Sequence, residues 1–213
     1  GQCLCIERLI ADLLDKFIDL PPEKLDGHFE ETLRRICECF GLDFGALWQR
    51  AETPSEALAL SHVYRAVPGP AITALDAAAH FPWSYGRLQI RKLVAAASIE
   101  ELPVEASRDR ESCGYFGLVS WLSIPLHIGG GPLIGALSFG NMAQDCPWPP
   151  DAMRQLQIIA HVFAGALARK YSNTALRESD ERLHLATAAA GLGAWTWNLA
   201  QHDVWATDAW RKM

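Results

Sequence analysis

The segment from Ser120 to Asn141, SWLSIPLHIGGGPLIGALSFGN, constrains the fold more than any other part of the sequence. Two runs of strand-forming residues are joined by three glycines, which is typical of a β-hairpin. Because side chains alternate between the two faces of a strand, each residue can be assigned to a face. The large apolar face carries Leu122, Ile124, Leu126, Ile128, Leu137 and Phe139, and the small, half-polar face carries Trp121, Ser123, Pro125, Ala136, Ser138 and Gly140. We therefore expect the two faces to have different neighbours.

Helices and strands are predicted on the N-terminal side of this hairpin. Apolar residues at three- and four-residue steps predict an amphipathic helix from Leu4 to Leu20. Pro21 and Pro22 end it, and a second apolar stripe predicts a helix that stops at Gly41. The next segments, DFGALWQRA and ALALSHVYRA, are typical of strands, and the turn-prone ETPSE separates them.

The segment between these strands and the hairpin has a weaker pattern. From Pro68 to Ile99, the prolines, an alanine run and the aromatic HFPWSY predict a loop with short helical pieces and a short strand near Lys92 to Ala95. LPVEASRDRESCGYFG then predicts a helix that ends at Gly117. Its acidic and basic residues alternate, which is typical of a solvated face rather than of catalytic carboxylates.

A long helix is predicted from Asp151 onward. Its apolar stripe consists of Leu156, Ile159, Phe163 and Leu167, continued by Leu176 and Leu183. The charged residues outside the stripe favour a helical connector that pairs with a second copy of itself. A single solvated surface helix is the alternative, because Lys170 and Asn173 interrupt the stripe.

The composition changes at Gly191, after which tryptophan is frequent. Trp195 and Trp197 alternate with smaller residues, and the polar AQHD separates them from a second short run that includes Trp205. This pattern predicts a β-hairpin. So small a hairpin is not stable alone in water, so we expect the chain to stop inside a second domain.

Length, charge and hydropathy exclude several classes of protein. The 213 residues leave room for one ordinary domain and a smaller segment. With a formal net charge of −6 and scattered Lys and Arg, no nucleic-acid surface is expected. No segment approaches the roughly 20 apolar residues of a membrane span, and the first helix is too charged for a signal peptide. We therefore expect a cytoplasmic protein.

The six cysteines do not have the spacing of a metal site. Cys3 and Cys5 form one C-x-C pair, and Cys37 and Cys39 form another. On a helix, the two side chains of such a pair point to different faces, which disfavours a shared metal ion. We expect reduced thiols that pack as small hydrophobes.

The order of these elements and their motifs resembles the GAF domain. The matching segments are LPPEKLDGHFEETLRRICECFGLDFGALWQ, HFPW, LPVEASRDRESCGYFGLVSWLSIPL, GPLIGALSF and Trp148 before a helix ending ALARK, which cover nearly all of residues 4–172. The tail ESDERLHLATAAAGLGAWTWNLAQHDVWATDAWRKM is similar to the opening of a PAS domain. The resemblance implies a GAF domain over residues 1–172, a helical linker over 173–190 and a PAS fragment over 191–213.

The resemblance also implies an α/β (α+β) fold with a candidate ligand pocket. In GAF domains an antiparallel sheet lies between the terminal helices and a chamber formed by short helices and loops. The large face of the hairpin would then pack on the helices, and the small face would line the chamber. The candidate pocket residues are Trp48, Phe81, Trp83, Ser112, Phe116, Trp121, Ser123, Ala136 and Ser138. As the alternative, Trp48 and Trp121 fill the chamber as core.

Known GAF cofactors fit these motifs poorly, and the ligand is left open. Arg108 stands at the position of the bilin-binding cysteine of phytochrome-like domains. The Asn-Lys pair of cyclic-nucleotide GAF domains is Asn141-Met142 here. Haem would need an axial histidine such as His62 or His80. Of the chamber cysteines of a GAF-type methionine sulfoxide reductase only Cys113 is present, and it could alternatively serve as a redox-sensing thiol.

The resemblance implies the sensory input segment of a bacterial signalling protein. A small molecule would bind the GAF domain, and the long helix would pass the change to the PAS domain and an output domain. The output would be a histidine kinase or, second, a diguanylate cyclase, and no catalytic residue is expected in this segment. We expect a homodimer through the helices Leu4–Leu20 and Asp151–Arg177. The alternative is a ligandless dimerisation and relay module.

Overall fold

The helices and strands follow one another in the order that the sequence predicts. The computed structural model describes residues 2–51, 57–69, 75–189, 195–198 and 203–206. The chain divides into two compact units, residues 1–170 and 171–213. In chain order the elements are α1 (Gln2–Asp19), α2 (Asp26–Phe40), β1 (Phe44–Arg50), β2 (Leu58–Arg65), α3 (Ala77–His80), α4 (Pro82–Gln89), β3 (Val94–Ala96), α5 (Ser107–Tyr115), β4 (Trp121–His127), β5 (Leu133–Gly140), α6 (Pro150–Ala189), β6 (Trp195–Asn198) and β7 (Asp203–Ala206).

The first five strands form one antiparallel sheet in the order β2-β1-β5-β4-β3. Within the β4–β5 hairpin, Leu122 pairs with Phe139 and Ser123 pairs with Ser138. Paired residues share a face of the sheet, so the two faces are those predicted from the alternation. The prediction is wrong for Ile128, which lies beyond β4, after a register shift between Leu126 and His127, and is 45% exposed. The mixed fold of helices and antiparallel sheet is confirmed.

The large face of the sheet packs against α1, α2 and α6. Phe17, Phe29 and Phe163, one from each helix, meet with ring centroids 5.3 to 5.7 Å apart. The predicted stripe on the first part of α6 lies in this core, where Leu156, Ile159, Phe163 and Leu167 are fully buried. Burial of such side chains stabilises the fold by about 1.5–3 kcal/mol each.

The small face of the sheet is covered by the short helices of the weakly patterned segment. That segment contains α3, α4 and β3, as the predicted short helical pieces and short strand require. α4 contacts β3, β4 and β5, and α5 packs on α4. The helices next to the sheet end where predicted, because Gly41 and Gly117 have φ angles of 69° and 72° that favour glycine. The short helices thereby place their side chains against Trp121, Ser123 and their neighbours.

The cysteines differ from the prediction at one pair. Cys5 of α1 and Cys39 of α2 form a disulfide, with Cα atoms 6.4 Å apart, where reduced thiols were expected. The pairing depends on the packing of α1 on α2, which C-x-C spacing within one helix does not encode. Cys37 and Cys113 are free and buried, as expected of cysteines that pack as small hydrophobes.

The second unit contains the predicted tryptophan-rich hairpin. β6 and β7 are antiparallel, with Trp195 opposite Ala206 and Asn198 opposite Asp203. Most of the predicted AQHD turn and Trp210 lie outside the described residues, as do ETPSE and residues 70–74. Among the helices that are described, none has the length and apolar character required to cross a bilayer.

Candidate functional site

The candidate chamber lies between the small face of the sheet and the short helices. It is a narrow cavity of about 10 Å³, and the side chains around it come from β1, β2, α3, α4, β4 and β5. Predicted pocket residues that line it are Trp48, Phe81, Trp121, Ser123, Ala136 and Ser138; Leu58, Ala77, Ser84, Tyr85 and Leu88 complete the lining. A volume of this size is at the lower limit for one water molecule.

Aromatic rings occupy most of the space over the small face. Phe81 stacks on Trp121 with centroids 5.1 Å apart and an angle of 6° between the ring planes. It meets Trp48 edge to face at 5.7 Å and Phe116 at 6.4 Å. The small residues of β4 and β5 therefore make room for aromatic side chains of the protein itself, as the alternative hypothesis of a filled chamber expects.

The polar side chains of the chamber form an incomplete hydrogen-bond network. Trp48 Nε1 donates to Ser138 Oγ at 3.1 Å, and Ser138 and Ser123 share a hydrogen bond of 2.9 Å between their hydroxyl groups. Two further atoms, Trp121 Nε1 and Ser84 Oγ, are buried and have no hydrogen-bond partner among the described residues. An unsatisfied buried polar group costs about 1–3 kcal/mol, so both atoms call for a partner.

Asp109 joins α5 to α4 beside this chamber. Its carboxylate is 1% exposed and accepts hydrogen bonds from the backbone N–H groups of Trp83, at 3.1 Å, and Ser84, at 2.8 Å. A carboxylate at a helix N-terminus satisfies amides that lack partners within the helix and suits the helix dipole. The expectation that this charged segment is only a solvated face is wrong for Asp109.

Sequence reasoning missed Ser84 and Asp109, although a signal for Asp109 exists. α4 begins with Pro82, and Phe81 at its N-cap position offers no capping side chain. A helix start without a local cap needs an acceptor from elsewhere in the chain. Which acidic residue supplies it is decided by the packing of α5 on α4.

The other predicted pocket residues lie outside the cavity. Ser112 and Phe116 line an outer groove of about 520 Å³ with Leu75, His80, Arg108, Glu111 and Tyr115. The hydroxyl of Ser112 donates to the backbone oxygen of His80 at 2.6 Å, so it serves the local fold. Trp83 is half-buried under the guanidinium of Arg87, 5.6 Å from its ring centroid. Phe116, stacked on Phe81, lies between groove and chamber.

The residues considered for known cofactors do not converge on the chamber. His62 lies on the opposite face of the sheet, 5.2 Å from the ring of Phe29, so it is no axial ligand for a group bound in the chamber. His80 lines the outer groove, where its Nδ1 is 3.0 Å from the Asp76 backbone oxygen. Arg108, at the bilin position, pairs with Glu111 in the same groove. The described residues contain no cluster of His, Cys, Asp and Glu able to hold a metal ion.

Cys113 does not have the properties of a reactive thiol. It is 1% exposed, and burial together with the nearby charge of Asp109 raises the pKa of its thiol to about 12. The thiolate is the nucleophilic form, so this cysteine is inert at neutral pH. Cys113 lies on the buried side of α5 and contributes to the apolar core there, which is the alternative to a redox role.

Comparisons with known proteins identify the fold. The family model of the GAF domain matches residues 25–167. The GAF domain of a phosphoenolpyruvate-protein phosphotransferase from Coxiella burnetii is 15% identical, with a TM-score of 0.64 over 82% of this chain and 99% of that one. The GAF domain of a protein described as a sensor histidine kinase in Pseudomonas syringae pv. tomato is 18% identical, with a TM-score of 0.52 over 81% and 93%.

One further solved structure is an enzyme. Free methionine-R-sulfoxide reductase from Neisseria meningitidis, in complex with its substrate, is 14% identical to this chain, with a TM-score of 0.59 over 79% of this chain and 91% of that one. At such identities the likeness shows the fold alone. A search of curated proteins found no match.

Proposed function

The chain belongs to the GAF domain family, and on this premise we propose that it is the sensory input segment of a bacterial signalling protein. GAF domains are signalling and sensory domains, so the proposal concerns what this one senses and what it controls. The chamber between the sheet and α4 is the proposed sensing site, and a small molecule is the proposed signal.

The observation that carries this proposal is the unsatisfied polar pair in the chamber. Trp121 Nε1 and Ser84 Oγ have no hydrogen-bond partner among the described residues, and both residues line the same cavity and are 2% exposed. In an apolar interior, buried donors and acceptors almost always have partners. A bound molecule with a hydrogen-bond acceptor would supply one where the protein does not, and aromatic walls would bury the rest of it.

Transmission to the long helix is supported by the position of β5. Its residues Ala136 and Ser138 line the chamber. On the same strand, Gly135 lies so close to Leu167 of α6 that an added Cβ would come within 3.1 Å of Leu167 Cδ1. A shift of β5 on ligand binding would therefore displace α6, because close-packed interiors transmit small displacements.

The domain boundaries and output remain proposals as well. We propose a GAF domain over residues 1–172, a helical linker over 173–190 and the start of a PAS domain over 191–213. The tryptophan-rich β6–β7 hairpin supports a second domain that continues beyond these strands. A histidine kinase is the proposed output, in keeping with the description of the Pseudomonas syringae neighbour, and a diguanylate cyclase is second.

A homodimer through α1 and α6 is part of the proposal. The fully buried stripe of Leu156, Ile159 and Phe163 is used within the first unit, so it is not available to a partner. Exposed apolar side chains within the proposed segments Leu4–Leu20 and Asp151–Arg177 include Leu14, Ile18, Ile158 and Leu176. A second copy of the chain would bury them.

One observation favours a second function. The cavity holds about 10 Å³ because the aromatic rings of the protein fill the chamber. A ligandless relay and dimerisation module would have such a core, with the signal arriving from another part of the chain. The two functions differ in whether the chamber ever binds a small molecule.

Mass spectrometry under non-denaturing conditions tests the sensory proposal. The protein is purified from a bacterial host as wild type, as Ala136→Leu, which fills the chamber, and as Ala95→Leu, the same change at an exposed strand position. We expect a bound species in wild type and Ala95→Leu that Ala136→Leu lacks while its circular dichroism remains native. Equal spectra with no bound species for all three proteins would support the relay module instead.

A further inference from the structure

Phe81 occupies the place where a flat ligand would stack. Its ring lies nearly parallel to the indole of Trp121, at 5.1 Å and 6°, with the edge of Trp48 at 5.7 Å. Stacked and edge-to-face contacts of this kind are favourable for any planar aromatic group. The chamber therefore has the shape of a planar ring, and in this structure the ring of Phe81 occupies it.

The position of Phe81 in the chain lets its ring leave without unfolding a helix. Phe81 is the single residue between α3, which ends at His80, and α4, which begins at Pro82. Its backbone is held on both sides, since its N–H donates to Ala77 and its oxygen accepts from Tyr85. The side chain can therefore change rotamer while the two helix ends keep their hydrogen bonds.

A space for the displaced ring exists next to the chamber. Phe116, 6.4 Å from Phe81, lines the outer groove of about 520 Å³ together with His80 and Ser112. A ring that turns away from Trp121 toward Phe116 would remain in contact with an aromatic neighbour. The movement would cost the ring its contacts with Trp121 and Trp48 but would keep its contact with Phe116.

The chamber specifies the charge and polarity of what would replace the ring. None of the described residues that line it has a charged side chain. The nearby carboxylate of Asp109 is engaged by the amides of Trp83 and Ser84. A charged ligand would lose its hydration without gaining a counter-ion. Ser84 Oγ has no hydrogen-bond partner among the described residues and can donate, so the ligand needs an acceptor.

From this geometry we propose that Phe81 is an internal plug, displaced by a neutral, planar aromatic molecule that carries a hydrogen-bond acceptor. The ligand stacks on Trp121 and accepts a hydrogen bond from Ser84 Oγ, while the Phe81 ring moves into the outer groove. The inference rests on the proposed sensory function and adds the ligand class and the residue that opens the site.

Phe81→Ala tests the plug with two probes of the same shape. Pyridine, at a pH where it is uncharged, has a ring acceptor, and benzene has none. Because removal of the ring uncovers Trp121, we expect Phe81→Ala to bind both probes more tightly than wild type, by saturation-transfer NMR titration. Phe116→Ala is the matched control, since it removes a ring that does not stack on Trp121. Phe81→Leu, which keeps an apolar side chain at this position, serves if the alanine variant does not fold.

The acceptor is tested by adding Ser84→Ala to the Phe81 variant. We expect this change to weaken pyridine binding about three- to tenfold, as expected for one lost hydrogen bond, and to leave benzene unchanged. Equal effects on the two probes would overturn the polar part of the proposal. Binding to the Phe81 variants no tighter than to wild type and Phe116→Ala would overturn the plug.

The plug and the sensory function fail in different ways. If wild type carries a bound species that Ala136→Leu lacks but the Phe81 variants do not gain affinity for the probes, the sensory function stands and the plug is wrong. If the Phe81 variants gain affinity for the probes but wild type never carries a bound species, the plug stands as a property of the chamber and the sensory function loses its support.

Discussion

At the scale of single residues, polar side chains join segments that lie far apart in the chain. Asp109 caps α4 from α5, and Lys170 of α6 holds the carboxylate of Asp26 at 2.7 Å and the side-chain oxygen of Gln49 at 3.1 Å. Burial alone would raise the pKa of Asp26, but the hydrogen bond and charge of Lys170 outweigh it and lower that pKa. The buried Gln49 amide is in turn 3.5 Å from His62 Nδ1.

His62 is expected to make stability depend on pH. Burial is the main cause that lowers the pKa of its imidazole below 6.5, against the opposing charge of Asp26. The unfolded chain therefore takes up a proton at a higher pH than the folded protein does. The contribution of neutral His62 to the free energy of unfolding is fully present above pH 6.5. It is lost as the pH falls through the lowered pKa of the folded protein.

The measurement is urea unfolding on both sides of pH 6.5. We expect the free energy of unfolding of wild type to decrease as the pH is lowered below this value, and His62→Gln to remove that decrease. His161→Gln is the control, because His161 is exposed on α6. An unchanged pH dependence in His62→Gln would show that other groups cause it.

At the scale of elements, the side chain of Arg169 links α6 to the end of α1. α1 ends at Asp19 without a glycine cap, and its last carbonyl groups have no partners within the helix. Arg169 of α6 donates to the backbone oxygens of Phe17, Ile18 and Leu20 at 2.5 to 2.6 Å. The guanidinium fork thus caps α1 from a neighbouring helix.

Arg169→Met is expected to lower the free energy of unfolding by about 1–3 kcal/mol, because partly buried carbonyl groups lose charged donors while the aliphatic packing is kept. Urea unfolding measures the change. Arg154→Met is the control: Arg154 pairs with Asp151 on the exposed surface of the same helix, and such pairs contribute little. Equal losses in the two variants would mean that the cap does not stabilise the domain.

At the scale of the whole molecule, the proposed homodimer depends on side chains that the first unit leaves outside. Ile18 of α1 is 66% exposed and Ile158 of α6 is 45% exposed. A charged residue at these positions costs little in a monomer but would be buried without a partner in a dimer. The proposed interface is therefore sensitive to charge at these two positions.

Ile18→Glu combined with Ile158→Glu is expected to convert a dimer into a monomer in sedimentation velocity. Ile90→Glu is the control, because Ile90 is equally open, at 61% exposure, but lies at the end of α4. Sedimentation of wild type as a monomer over the accessible concentration range would contradict the dimer. A dimer that persists in the double variant would place the interface elsewhere.

Much of the fold could be predicted because its signals are local. The period of two in the β4–β5 hairpin assigned Ser123 and Ser138 to one face, and the structure pairs them. Helical spacing located α1, α2 and α6, and glycines marked helix ends at Gly41 and Gly117. Side-chain period and backbone conformation depend on neighbours in the chain, so the sequence alone carries them.

The candidate site was predictable only in part, since closing it depends on contacts between distant segments. Local alternation and the family resemblance named Trp48, Phe81 and Trp121. Neither indicates that the rings of these residues leave a cavity of only about 10 Å³ in the chamber.

Which polar groups meet was also decided by tertiary structure. Asp109 reaches α4 across 25 residues, and Ser84, which lines the chamber with Trp121, has a buried Oγ with no hydrogen-bond partner among the described residues. His62 faces the helices because of its position in the β1–β2 register, which contains a bulge between Leu47 and Trp48. The sequence by itself thus determined the elements and the two faces of the sheet, since these depend on local periodicity. The volume and unmet hydrogen bonds of the chamber depend on packing between segments distant in the chain, and only the tertiary structure decided them.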